Sequence, residues 1–185
     1  MARSALYLWS MVVCGLVACR SAPPAPAPAP ATRAEPVVTS VYTPLSGAGC
    51  SLVRHDREAD ESTQRCPGVA GYAILVQDAD ARMSVTLVAP DGREQPLNYW
   101  SVITRSFSRL GEHAEWRVRN GAPVALIVPV IASEDPDTDV EYLAVARVGA
   151  AACVTDRIAQ GPSAGENARR AADSSAERTC LGDMD

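Results

Sequence analysis

The sequence predicts one mainly β domain, a single antiparallel β sandwich or barrel that carries a C-terminal α-helix and two disulfide bonds. Short apolar or alternating segments recur from residue 37 onward, and turn signals separate them. Four cysteines lie in the same region, and a segment of helical character follows the last predicted strand. The region holds about 150 residues, which is the size of one ordinary domain.

The strands are predicted from the spacing of apolar residues along the chain. Alternate residues of 83–87 are apolar, which indicates a half-buried strand. The continuous apolar run at 123–132 is typical of a central strand, and Pro129 places one end of it at an edge or bulge. Asn120-Gly121 is the strongest short hairpin signal. The predicted strands cover 37–42, 71–77, 82–89, 93–97, 114–118, 123–132, 140–148 and 152–158.

Three segments are predicted to have other structures or carry weaker strand signals. Residues 51–65 are polar and have no clear period, which predicts an exposed loop or hairpin tip. Residues 99–104 favour extended structure followed by a turn. Ser163 and Glu166 match a capping box, so a helix is predicted from there to about Arg178.

Residues 1–18 have the composition of a bacterial export signal. Arg3 is their only charge, and the apolar stretch of about 14 residues is shorter than the roughly 20 that a membrane span needs. The last residues, Leu16-Val17-Ala18-Cys19, resemble the lipobox of bacterial lipoproteins. The resemblance implies cleavage before Cys19 and a lipid on its thiol, and Cys14 would be lost with the signal.

A Pro/Ala tract separates the proposed lipid from the domain. Proline alternating with alanine favours the polyproline II conformation, and at about 3.1 Å per residue its reach is on the order of 45 Å. The chain is therefore divided into a signal peptide (1–18), a lipidated cysteine with its tether (19–36) and a β-rich envelope domain (37–185). Arg20 follows the cysteine. Since Asp at this place retains some lipoproteins in the inner membrane, Arg20 favours the periplasmic side of the outer membrane.

The remaining cysteines are Cys50, Cys66, Cys153 and Cys180. An even number in an exported domain implies disulfides. Three pairings are possible, and proximity in sequence favours Cys50–Cys66 and Cys153–Cys180. A closed loop of about 15 residues contributes roughly 3 kcal/mol to stability. Zinc sites usually contain paired C-x2-C spacings, which are missing here, so neither a metal nor a cofactor is predicted.

Charge argues against a nucleic-acid partner. The chain has 17 basic and 22 acidic residues, with a formal net charge of −5. Neutralising phosphates requires a positive face. Adsorption to anionic lipid is disfavoured for the same reason, so membrane attachment would depend on the lipid anchor.

One motif suggests a hydrolase. The segment 161–165 reads G-x-S-x-G, the nucleophile elbow of α/β-hydrolases. In that fold the histidine follows the serine, whereas His55 and His113 both precede Ser163 here. The motif is therefore interpreted as a turn with Ser163 as helix N-cap. A convergent envelope hydrolase that uses His113 or His55 is kept as an alternative.

The acidic run at 134–141 suggests calcium. Its carboxylates recur at every second position, and calcium prefers several oxygen ligands. The EF-hand pattern fails, because Val140 stands where glycine is needed and Ala146 stands where glutamate is needed. A solvated turn is favoured. A calcium-stabilised adhesion-like module that uses Asp137 and Asp139 remains the second alternative.

Aromatic and arginine residues suggest a binding surface. Tyr99 and Trp100 are adjacent, and Arg117 and Arg119 share the solvent face of their predicted strand with Glu115. We predict these four residues, Tyr99, Trp100, Arg117 and Arg119, as candidates for the surface, although aromatic residues on strands are more often core.

The segments CPGVAGY, SVTLVAPDGRE, AEWRV and PVALIV resemble those of a set of small, cysteine-bearing exported proteins of proteobacteria. The resemblance implies a domain type and no particular site. In architecture the chain also resembles periplasmic lysozyme inhibitors of the lipoprotein kind. The expected function is a non-enzymatic binding module of the cell envelope, whose partner is a periplasmic protein or a cell-wall component.

Overall fold

The computed structural model describes residues 37–135 and 138–184. The predicted signal, Cys19 and the tether lie outside the described residues. The helices are α1 (Tyr99–Val102) and α2 (Ala164–Asp173), with short 3-10 turns at Gly47–Gly49 and Ser175–Glu177. The strands of the described residues are β1 (Val38–Pro44), β2 (Ser51–Asp56), β3 (Glu61–Pro67), β4 (Ala73–Ala79), β5 (Arg82–Val88), β6 (Glu94–Pro96), β7 (Ser108–Leu110), β8 (His113–Arg119), β9 (Ala122–Asp135), β10 (Thr138–Arg147) and β11 (Cys153–Ala159).

Strand β9 is the centre of one curled sheet. One edge of β9 pairs with β10, which pairs in turn with β11. The other edge pairs first with β8, which continues to β1, and then with β7, which continues through β5 and β4 to β3 and β2. The sheet curls into a half-barrel, so the mainly β class with a C-terminal helix is confirmed. Its pairing is antiparallel except for one parallel bridge between β5 and β7.

Pro129 lies where β9 changes partners. The Gly111 N–H donates to the Pro129 carbonyl at 2.9 Å, so the missing N–H of Pro129 faces the gap between β7 and β8. A Cβ on Gly111 would stand 2.9 Å from the Pro129 ring, which explains the glycine at this approach. Pro129 was predicted to place one end of this strand at an edge or bulge. Instead, β9 continues to Asp135, and the strand pairing on one edge is interrupted at Pro129, between β8 and β7.

The main core lies on one face of the sheet. Trp116 is fully buried, and its Nε1 donates to the Thr43 hydroxyl at 2.9 Å. Val85 and Leu87 point into the same core, as their alternation predicts. Burying one such side chain contributes about 2 kcal/mol to folding. The large side chains that are fully buried in this core include Leu45, Ile74, Val85, Leu87, Tyr99, Ile103, Trp116, Leu126, Val128 and Val130.

Helix α2 covers the other face of β9 and β10. Its alanines, Ala168, Ala171 and Ala172, pack on Ile127 and Val145. The helix ends at Asp173, earlier than predicted, because a 3-10 turn follows directly. Ser163 occupies the N-cap without a side-chain hydrogen bond, so the capping box is not formed.

Both favoured disulfides are present. Cys50–Cys66 and Cys153–Cys180 are bonded with Cα–Cα distances of 4.2 and 5.7 Å. The Cys50–Cys66 bond closes the base of the β2–β3 hairpin. Residues 51–65 were predicted as a loop or hairpin tip, but most of them form these two strands. The Asp56 carboxylate accepts N–H bonds from Glu58 and Ala59 at 3.0 and 3.2 Å and thereby forms the hairpin turn.

Two local predictions have opposite outcomes. Asn120 and Gly121 have φ values of 52° and 80° and join β8 to β9, as the hairpin signal predicts. The extended structure predicted for 99–104 is wrong, because 99–102 form α1. Asn98 precedes this helix with φ 48°, a left-handed conformation that asparagine tolerates better than most residues.

Candidate functional site

A concave site lies on the outer face of the β4–β5 hairpin. The two-residue turn Asp80-Ala81, in which both residues have positive φ, fixes the register of this hairpin. Gln77 therefore lies opposite Ser84, and Ala79 opposite Arg82, on the face away from the core. The cavity has a volume of about 290 Å³. We call it the Trp100 pocket, and it is lined by Gln77, Ala79, Arg82, Ser84, Pro96, Asn98 and Trp100.

Helix α1 positions the indole of Trp100. Tyr99 is fully buried in the core, and its N–H donates to the Ser84 hydroxyl at 3.0 Å, which fastens α1 to β5. Trp100, one residue later on this short helix, is 57% exposed. An indole held in water by a rigid scaffold is a typical feature of a binding surface.

The polar side chains of the Trp100 pocket have unused hydrogen-bonding capacity. Gln77 accepts one bond through Oε1, from the Thr86 hydroxyl at 2.8 Å, which leaves its amide N–H groups available. Within the described part of the chain, the Asn98 side chain and the Trp100 indole N–H make no hydrogen bond. The pocket therefore presents amide and indole groups to whatever enters it.

Arg82 extends the site toward a second aromatic residue. Its guanidinium lies 4.8 Å from the ring centroid of Phe107, which is 51% exposed. The same guanidinium binds the Asp80 carboxylate at 2.5 Å. Because this ion pair balances the charge of Arg82, the pocket is close to neutral.

A second cavity of about 210 Å³ lies between α2 and the sheet. Its floor is apolar, and its rim includes Tyr42 and His113. We call it the Arg169 cavity, and it is lined by Tyr42, His113, Glu115, Ile127, Pro129, Leu143, Gly165, Ala168 and Arg169.

The charged groups around the Arg169 cavity satisfy one another. Glu115 accepts from Arg169 Nε at 2.7 Å, from Arg169 Nη2 at 3.1 Å and from the Ser40 hydroxyl at 2.5 Å. Arg117 binds both carboxylate oxygens of Asp173 at 2.7 and 2.8 Å. Burial alone would raise the pKa of Glu115, but the bonds from Arg169 and Ser40 outweigh it and hold that pKa below its ordinary value. We call this set, Ser40, Tyr42, Glu115, Arg117, Arg169 and Asp173, the helix network.

The four residues predicted as a binding surface are not brought together. Trp100 is exposed, but Tyr99 and Arg117 are buried, so the prediction is wrong for these two. Arg119 donates to the Asp173 carbonyl at the end of α2 at 2.7 Å, instead of facing open solvent. The reason is that α2 covers the face of β8 that the alternation of polar residues assigned to water.

The residues that a hydrolase would use, His55, His113 and Ser163, make no hydrogen bonds to one another in the described ranges. His55 is exposed on β2, and His113 is exposed at the rim of the Arg169 cavity. In the described ranges, no hydrogen bond joins either imidazole to a serine or a carboxylate, and Ser163 is exposed at the N-cap of α2. The serine–histidine contact that such an enzyme needs is therefore not assembled among these residues.

Carboxylates of the acidic run bind partners on neighbouring strands. Asp139 accepts from Arg109 at 2.8 Å and from the Ser133 hydroxyl at 2.9 Å, and the Arg109 bond lowers the pKa of Asp139. Glu134 accepts from the Tyr142 hydroxyl at 2.5 Å. Residues 136 and 137 lie outside the described residues. Within residues 37–135 and 138–184, no group of three or more histidine, cysteine or acidic side chains is arranged to hold a metal.

Comparison with protein-family models, with curated proteins and with solved structures found no match for this chain. None of the helices in the described ranges is long and apolar enough to cross a membrane. Sequence reasoning selected Trp100 but missed Gln77, Arg82 and Asn98. The signal for Gln77 and Arg82 was the short Asp80-Ala81 turn, which places alternate residues of β4 and β5 on one outer face. Asn98 lies outside this hairpin, at the start of α1, and no such pattern marks it.

Proposed function

We propose that this protein is a lipid-anchored cell-envelope protein that binds the glycan of the cell wall through the Trp100 pocket. The observation that carries the proposal is the exposed indole of Trp100 beside unsatisfied side-chain amides. The lining also includes two small residues, Ala79 and Ser84, whose short side chains leave room for a ring in the cavity.

The chemistry of the pocket favours a neutral, hydroxyl-rich ligand. The C–H face of a sugar ring packs against an indole, and its hydroxyl and acetamido groups exchange hydrogen bonds with amides such as those of Gln77 and Asn98. Arg82 is paired with Asp80, so the pocket offers little net charge to attract an anion. An acetylated cell-wall glycan meets these requirements better than a phosphate-rich ligand does.

The contrast with the Arg169 cavity supports this assignment. The carboxylate and guanidinium groups there already bind one another, so a ligand would have to break existing ion pairs. In the Trp100 pocket, a ligand would bond to the Gln77 and Asn98 amides and the Trp100 indole N–H, whose remaining hydrogen-bonding capacity is not used by other described residues. Binding in the Trp100 pocket therefore requires no ion pair to be broken and leaves the contacts that hold α2 on the sheet intact.

The proposed location depends on the N-terminal segment and the disulfides. Two disulfides require an oxidising compartment such as the bacterial periplasm. A lipid on Cys19 would attach the chain to a membrane, and the Pro/Ala tract would let the domain reach toward the wall. The outer membrane, on its periplasmic side, is the proposed site of attachment.

Cosedimentation of the full chain with purified peptidoglycan sacculi tests the binding function. We expect the wild type to sediment with the sacculi and Trp100→Ala to bind at least tenfold more weakly, because losing one aromatic contact costs about 1.5 kcal/mol. Leu52→Ala is the matched control, since Leu52 on β2 is 65% exposed and lies outside the pocket. It should bind as the wild type does.

Two results would overturn this proposal. One is a wild type that does not sediment with sacculi, and the other is equal binding by Trp100→Ala and Leu52→Ala. Crosslinking in intact cells distinguishes a protein ligand. If the wild type does not bind sacculi but crosslinks to one specific protein, and Trp100→Ala loses that crosslink, the pocket binds a protein instead.

Membrane attachment is tested separately. Cys19→Ala cannot carry the lipid, so this variant should be lost from the membrane fraction.

A further inference from the structure

The two disulfides differ in their surroundings. Cys66 is 1% exposed, and both members of Cys50–Cys66 pack against the main core. Cys153 is half-buried and Cys180 is exposed. An incoming thiol must reach a sulfur to react, so exposure makes the second disulfide the more accessible.

A guanidinium is held against both sulfurs of the exposed disulfide. Arg147 Nη2 lies 3.4 Å from the Sγ of Cys153 and 3.4 Å from the Sγ of Cys180. Arg147 Nε donates to the Ala151 carbonyl at 3.3 Å and Nη1 to the Arg178 carbonyl at 3.5 Å, which fixes its orientation. A cation beside a sulfur stabilises the thiolate, which is the species released when a disulfide is cleaved.

Cys180 also begins a strap along the edge of the sheet. The Leu181 N–H donates to the Val154 carbonyl of β11 at 2.8 Å, and the Met184 N–H donates to the Ser101 carbonyl of α1 at 2.8 Å. The Met184 carbonyl accepts from Arg105. We call residues 180–184 the C-terminal strap, and the Cys153–Cys180 bond fastens its start.

From these contacts we infer that Cys153–Cys180 is a thiol–disulfide exchange site whose opening releases the C-terminal strap. The co-reactant is a dithiol. One of its thiolates attacks the Cys180 Sγ, the bond to Cys153 breaks, and its electron pair leaves on the Cys153 Sγ as a thiolate beside Arg147. The second thiol then attacks the mixed disulfide and releases Cys180, so the reagent is oxidised to a disulfide and the protein bond is reduced.

Release of the strap has a consequence for the helix that carries Trp100. The contact from Met184 is made to Ser101, the next residue in α1, so an open strap removes one of the bonds that position the helix. Weaker glycan binding after reduction is therefore expected. This consequence rests on the proposed function, whereas the exchange reaction does not.

The test is limited reduction of the full chain with dithiothreitol at neutral pH, followed by alkylation and peptide mass mapping, which separates each cysteine from Cys14 and Cys19. We expect Cys153 and Cys180 to be alkylated at least tenfold faster than Cys50 and Cys66. Amide hydrogen exchange at Leu181 and Met184 should accelerate in the reduced protein. Equal rates for the two disulfides, or faster reaction of Cys50–Cys66, would overturn the inference.

Variants of Arg147 test the role of the guanidinium. Arg147→Gln should slow the reduction of Cys153–Cys180 about three- to tenfold, because the leaving thiolate loses its cation. Arg147→Lys should restore most of the rate. Arg170→Gln removes the same charge from the exposed face of α2 and should leave the rate unchanged. An equal effect of Arg147→Gln and Arg170→Gln would contradict the inference, even where Arg147→Gln also lowers stability.

Discussion

The Trp100 pocket and the Arg169 cavity are both lined partly by polar side chains, but they differ in whether the protein itself already binds those side chains. At the Arg169 cavity, Glu115 and Arg169 bind each other, and beside the cavity Arg117 binds Asp173 of α2 and Ser40 of β1. In the Trp100 pocket, Asn98 and Trp100 have no side-chain partner among the described residues. The difference separates polar groups that hold the fold together from polar groups that are available to a ligand.

The energetic consequences differ as well. Breaking a satisfied, half-buried network leaves charges without partners, which destabilises the fold. Removing an exposed group that has no partner changes stability little. If the distinction is correct, substitutions in the helix network change unfolding, and substitutions in the Trp100 pocket change binding.

The largest effect is expected for Glu115→Ala. It removes the acceptor of three hydrogen bonds and leaves Arg169 without a carboxylate partner, so the free energy of unfolding should fall by about 2–3 kcal/mol. Guanidinium denaturation followed by circular dichroism measures this. Glu166→Ala, which breaks an exposed pair with Arg170 on the same helix, should cost about 0.5 kcal/mol or less. If Glu115→Ala and Glu166→Ala lowered the free energy of unfolding equally, the helix network would not hold the fold together more than an exposed ion pair does.

An intermediate effect is expected for Asn98→Gly, and it should appear in binding alone. Glycine adopts the left-handed conformation of this position without strain, so stability should be unchanged. Loss of the side-chain amide should weaken glycan affinity about fivefold, the worth of one hydrogen bond of about 1 kcal/mol. Asn120→Gly is the matched control, because Asn120 has a similar φ of 52° and lies outside the pocket. Calorimetric titration should give that control the affinity of the wild type.

The smallest effect is expected from pH. The folded pKa of Glu115 lies below its ordinary value of 4.5, so its stabilisation is present above that pH and is lost as the pH falls through the folded pKa. The stability difference between the wild type and Glu115→Gln should therefore shrink below about pH 4.5 in denaturation curves. Glycan binding should stay constant between pH 5 and 8, because amide, hydroxyl and indole groups do not titrate there. A difference that grows in acid would show that Glu115 is not stabilised as its contacts indicate.

Most of the strands and both disulfides could be predicted from short stretches of sequence, whereas β2, β3 and β7 were not predicted as strands. Alternation assigned Val85 and Leu87 to the core, and Asn120-Gly121 marked its hairpin without tertiary information. The cysteine pairing followed from proximity in sequence. The strand and hairpin signals each lie within a few residues, and the disulfides join cysteines that are 16 and 27 positions apart.

The surfaces could not be predicted because they depend on which element covers which face. Arg117 alternates as a solvent-facing residue does, yet α2, which follows it by more than forty positions, covers it. Helix α1 has four residues, which is too short for a helical period to appear. Tyr99 faces the core and Trp100 faces solvent in a helix whose start is fixed by the hydrogen bond from the Tyr99 N–H to the Ser84 hydroxyl. No local sequence pattern reveals this tertiary contact.

Nuclear magnetic resonance of the full chain, titrated with a soluble N-acetylglucosamine tetramer, tests the central distinction most directly. We expect the signals of the Trp100 indole N–H and of the Gln77 and Asn98 side-chain amides to shift first and to saturate together. Signals from Tyr42, His113 and Arg169 should stay in place. Shifts centred on the Arg169 cavity, or a Trp100 indole signal that does not move at saturating glycan, would contradict it.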